Sequence, residues 1–203
     1  MTATAIRDER LLPPPSKPTA EVGYWGMALL VATEATTFAI LLGSYLFLGV
    51  SNPGWPPPGI ERPKLILPPI MTGVLLASSL LLYWGERGIK RGDTTRLKIG
   101  LASTILLGLG FLAIQAAEYS DKLRKMKPMD HAYAASFYTI TSFHALHVIT
   151  GLLLLLYAFV RALLGHFDEE HHLAVKNVSL YWHFVDTVWV FIFLTLYISP
   201  RFY

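Results

Sequence analysis

HAYAASFYTITSFHALHVITGLLLLLYAFVRALL, residues His131 to Leu164, carries Arg161 as its only permanent charge. A helix rises about 1.5 Å per residue, so roughly twenty apolar residues cross a hydrocarbon layer of about 30 Å. The stretch exceeds that length and must tilt or project from the bilayer. Backbone polar groups in lipid have to bond to one another, which leaves helices or closed barrels. A barrel strand would alternate over about ten residues, whereas Leu152–Leu156 is an unbroken apolar run. The stretch is therefore expected to be a membrane-spanning helix.

Similar runs lie on either side. The expected spans are roughly 24–48, 65–84, 97–119, 131–164 and 178–198. This predicts an all-α fold, an integral membrane helical bundle of five transmembrane helices, as a membrane domain over residues 23–203. Residues 1–22 are polar and Pro-rich, with Pro13, Pro14, Pro15 and Pro18. They are expected to form an extended tail rather than a cleaved signal peptide. Asn52, Pro53, Gly54 and Pro56–Pro58 end the first helix. Pro68 and Pro69 fall in the first turns of the second, where helical N–H groups lack partners anyway.

Composition agrees with that reading. The chain is 53% hydrophobic and 15% charged, with a mean hydropathy of +0.45; soluble domains carry about 25% charged residues. It has no cysteine, which excludes disulfides, thiolate zinc sites, Fe–S clusters and a thiolate-bridged copper centre. The net charge of +3 and the pI near 9.1 fit basic loops on a membrane protein, and no nucleic-acid partner is expected. Lys and Arg flanking the spans divide ten against seven in favour of the face holding the N-terminus, which predicts the N-terminus inside and the C-terminus outside. Tyr24, Trp25, Tyr83, Trp84, Tyr119 and Tyr197 near span ends are expected to act as interfacial anchors.

Charge at membrane depth is costly, so each ionisable residue in a span needs a partner or a purpose. Glu34, His144, His147, His183 and Asp186 are such residues, and Glu118 sits near a span end. Glu34 is either a proton-exchanging carboxyl or a contact between two helices, with Thr33, Thr36 and Thr37 as candidate donors. His144 and His147 share one helix face with Gly151, and His183 and Asp186 share another. One reading is a metal or haem site. No carboxylate lies one turn from His144 or His147, so the di-iron pattern is not met. The other reading is a hydrogen-bonded polar seam between the fourth and fifth helices, with His183 donating to Asp186. No metal ligand and no catalytic residue is assigned. The run His166–His172 reads as a solvated loop with opportunistic metal binding as the alternative, and Gly43, Gly108 and Gly110 as points of close helix approach.

These residues resemble subunit III of the haem–copper respiratory oxidases. Tyr181-Trp182-His183-Phe184-Val185-Asp186 with Val188-Trp189 is similar to that family's last-helix signature. So are Phe143-His144, His147-Val148 and Gly151 on the preceding span, Gln115-Ala116-Ala117-Glu118-Tyr119 before it, and Gly26-Met27 with Glu34 and Phe38 on the first. Trp55-Pro56-Pro57-Pro58-Gly59-Ile60 resembles the family's following loop, and His171-His172 stands where it often has a His pair. The resemblance is to the five-helix bacterial form. A longer form has seven helices, with a lipid-filled cleft behind the first two. The resemblance implies a non-catalytic accessory subunit of a proton-pumping cytochrome c oxidase in a bacterial inner membrane. It would pack on the haem-bearing subunit I, beside the copper-bearing subunit II and membrane lipids. It would support proton uptake and active-site lifetime. Haems and copper would belong to those partners and none to this chain, with a structural phospholipid as a possible companion. Equivalent subunits of quinol oxidases and nitric-oxide reductases stay open, as does an independent haem or metal protein.

Overall fold

The structure is a computed structural model and describes residues 20–52, 54–57, 59–60 and 65–202. The Pro-rich tail expected over residues 1–22 lies almost wholly outside the described residues. The described chain folds into α1 (Ala20–Ser51), α2 (Leu67–Ile89), α3 (Thr94–Lys125), α4 (Ala132–Leu163) and α5 (Leu173–Phe193). The last helix continues through a wider turn at Leu194–Ile198 and a tighter one at Ser199–Arg201. All five helices are long and apolar enough to cross a membrane.

Several helices overrun the bounds read from apolarity. α2 continues past Trp84 to Ile89, α3 reaches Lys125 rather than Tyr119, and α5 begins at Leu173 rather than Val178. An apolar run marks only the part inside hydrocarbon. A helix continues into the headgroup layer wherever charged ends can reach water, as Arg124 and Lys125 do on the last turn of α3. Cations there also meet the negative end of the helix dipole.

Short connections join α2 to α3 and α3 to α4. Gly92 turns the chain between α2 and α3 at φ +75°, a conformation glycine adopts without a Cβ clash. Asp93 then caps α3, its Oδ1 accepting the Arg96 N–H at 3.0 Å. His131 caps α4 with a ring nitrogen, Nδ1 accepting the Ala134 N–H at 3.1 Å.

α5 is the central element and packs on α1, α2 and α4, while α3 bridges α2 and α4. Trp182 of α5 is fully buried. A Cβ placed on Gly108 of α3 would fall 2.8 Å from its ring, and one on Gly151 of α4 also 2.8 Å. The indole fills the space that two absent side chains leave, and its Nε1–H donates to Ser78 Oγ on α2 at 2.9 Å. Trp189 repeats the link two turns on, donating to Thr72 Oγ1 at 3.0 Å. α2 and α3 touch backbone to backbone where a Cβ on Gly100 would lie 2.9 Å from the Gly85 Cα. Gly43 and Gly110 are not approach points, since nothing lies within 4 Å of a Cβ there. Gly110 is two residues from Gly108, about 200° around the helix at 3.6 residues per turn, and faces outward.

Candidate functional site

The ionisable residues fall at separate helix interfaces. They do not form one seam between α4 and α5. His147 on α4 points to α1, where its Nε2 lies 3.2 Å from Glu34 Oε2. Its Nδ1 lies 2.8 Å from the Phe143 carbonyl one turn back. A carbonyl only accepts, so Nδ1 carries a hydrogen. Nε2 and Oε2 then hold one proton between them, as neutral acid and imidazole or as carboxylate and imidazolium. His147 is nearly buried, while a third of the Glu34 side chain stays uncovered. Thr33, Thr36 and Thr37 do not serve Glu34. Their hydroxyls bond back to the carbonyls of Leu30, Ala32 and Thr33, which lie closer to a helical Thr than a neighbour's side chain does.

His144, one turn from His147, has a different environment. It is fully buried, and neither ring nitrogen has a hydrogen-bond partner. Its ring packs among Trp189 at 5.2 Å, Phe111 at 5.9 Å and Phe38 at 6.3 Å between centroids. Among the described residues, no group of three His, Cys, Asp or Glu side chains is placed to hold a metal ion.

His183 and Asp186 face α2, and Ser79 stands between them. The Ser79 hydroxyl donates to Asp186 Oδ2 and lies 2.8 Å from His183 Nδ1. The other ring nitrogen of His183 lies 3.2 Å from Ser179 Oγ. Glu86, near the end of α2, faces Ser179 and His183 and pairs with Lys90 at 2.6 Å. Sequence reading passed over Ser79, Ser179 and Glu86. Serine is ordinary in a membrane helix, and Glu86 lay beyond the apolar run.

Glu118 is enclosed at the opposite end of the bundle. It pairs with Lys122 at 2.8 Å and accepts from the Tyr197 hydroxyl at 3.2 Å. Tyr197 is therefore a core residue, 2% exposed, rather than an interfacial anchor. The Lys122 ammonium also lies over the Phe137 ring at 3.9 Å. Trp55, in the loop after α1, is 4% exposed and packs edge-on against Tyr45 and Tyr133. In the loop before α5, Asp168 Oδ1 accepts the backbone N–H groups of His171 at 2.6 Å and Glu170 at 2.9 Å. These bonds, the His171 amide first, hold the Asp168 carboxyl below its ordinary pKa.

A sequence profile for cytochrome c oxidase subunit III matches residues 17–200. The chain belongs to the cytochrome c oxidase subunit III family. Cytochrome c oxidase subunit 3 of Synechocystis sp. is 35% identical over 179 residues, covering 88% of this chain and 76% of that protein. Those of Anopheles gambiae and Homo sapiens are each 34% identical over 179 residues, covering 85% of this chain and 68% of theirs. Membership of the subunit III family gives the α5 signature a physical reading. Trp182 fits between Gly108 and Gly151, while His183 and Asp186 clasp Ser79 of α2. As a subunit III, the chain is a multi-pass membrane protein of the respiratory chain and part of an oxidase complex.

Proposed function

We propose that this subunit III is a non-catalytic accessory subunit of a haem–copper terminal oxidase of the cytochrome c type. It packs on the haem-bearing subunit I, beside the copper-bearing subunit II, in a bacterial inner membrane with its N-terminus inside. It supports proton uptake and prolongs the life of the oxygen-reducing centre. Haems and copper belong to the partner subunits. The observation that carries the reading is His147, whose two ring nitrogens both meet protein oxygens. That imidazole is engaged in joining α4 to α1 and holds a proton jointly with Glu34. A structural phospholipid fits the groove between α3 and α4, a cavity of about 820 Å³ walled by Leu112, Ala116, Leu146 and Ile149. Arg124 at its end suits a phosphate.

The test compares the oxidase with and without this chain over many turnovers. The expected result is similar initial turnover and earlier loss of activity in the depleted complex. Equal working lifetimes would contradict the role.

A further inference from the structure

The α2–α5 interface carries polar side chains in single file. From the middle outward they are Asp186, Ser79, His183, Ser179 and Glu86, with Lys90 at the α2–α3 turn. Asp186 is 3% exposed and its Oδ1 has no partner, whereas Lys90 is half exposed at the other end. Hydroxyl, imidazole and carboxyl groups are the side chains that can accept a proton on one atom while releasing another. The file consists of these alone until it reaches Lys90.

We propose that this file is a proton relay through which Asp186 exchanges protons with the membrane face at the α2–α3 turn. A protonated Glu86 gives its proton to Ser179 Oγ, whose own proton passes to His183 Nε2. The Nδ1 proton of His183 moves to Ser79 Oγ, and the Ser79 hydroxyl proton goes to the Asp186 carboxylate. Each intermediate group gains one proton and loses one. Glu86 ends as the carboxylate, Asp186 as the acid, and His183 as its other tautomer. Rotation of the hydroxyls and a flip of the imidazole ring, which turns its protonated nitrogen back toward Ser79, reset the file. The relay deepens the proton-uptake reading and rests on it only for the direction of flow. Its geometry belongs to this chain and holds whichever face is inside.

The experiment is infrared difference spectroscopy of the intact oxidase complex, acidified and then moved from H₂O to D₂O. The Asp186 carboxyl is identified as the C=O stretch lost in Asp186→Asn. It is expected to appear on acidification and to shift promptly in D₂O. In Ser179→Ala, which leaves the Ser79 contact of Asp186 in place, the shift is expected to slow at least about tenfold, because exchange then waits for local opening. Should Ser179→Ala fail to assemble, Glu86→Gln cuts the file at its outer end and carries the same expectation. The relay is overturned if Asp186 shows no protonated band, if its band fails to exchange, or if the cut variant exchanges as fast as the unmodified complex. Turnover lifetime is a separate measurement, so failure here leaves the accessory role standing or falling by itself.

Discussion

His147 Nε2 and Glu34 Oε2 lie 3.2 Å apart across the α1–α4 interface, with the far ring nitrogen fixed on the Phe143 carbonyl. The pair needs one proton between its two atoms. Glu34→Gln supplies it permanently from the amide, so the contact should survive. Glu34→Ala leaves a nearly buried ring nitrogen unpaired, at a cost of about 1–3 kcal/mol. Thermal unfolding of the two variants should separate them. In a double-mutant cycle with His147→Phe, the combined loss should be smaller than the sum of the single losses.

Trp182 sets the spacing of three helices, and its space is reserved by two glycines. Gly151→Ala and Gly108→Ala each press a methyl group into the indole and should cost about 1–3 kcal/mol by overpacking. Gly110→Ala meets open space and should leave the melting midpoint unchanged or slightly raised. Equal effects at 108 and 110 would refute the packing assigned to Trp182.

Trp55 belongs to no helix, yet it is as buried as the core. Trp55→Ala opens a cavity beside Tyr45 and Tyr133 and should cost about 3–5 kcal/mol. Calorimetry of the purified complex would show it, together with faster proteolysis of the loop after α1.

Much of the fold was legible because apolar runs long enough to cross a bilayer admit few other readings. The ionisable residues were also legible, since charge at depth announces itself. Their neighbours were not. A spacing of three places His144 and His147 on one face, but it does not say that one meets Glu34 of α1 while the other is sealed among rings. Likewise His183 and Asp186 suggested a direct pair, and the intervening Ser79 comes from a helix more than a hundred residues away. Local spacing gives a face, and only the tertiary packing supplies its partner.

Asp168 makes a pH prediction outside the membrane. Its folded-state pKa is held below the ordinary value, chiefly by the His171 amide. Its contribution is therefore complete above the unfolded-state pKa of about 3.9 and is lost as pH falls through the lower folded value. Amide exchange at Glu170 and His171 should stay protected at pH of about 5 and rise only below the usual carboxylate range. Asp168→Ala should remove that protection at every pH.

On the proposed function, this subunit works in company and ligates no redox cofactor of its own. Gentle purification through a tag on this chain, followed by visible spectroscopy and metal analysis of the complex and of the separated chain, tests it most directly. A haem-bearing large subunit should be recovered in equal amount, with haem and copper absent from the separated chain. A chain that purifies alone and carries stoichiometric haem or metal would contradict it.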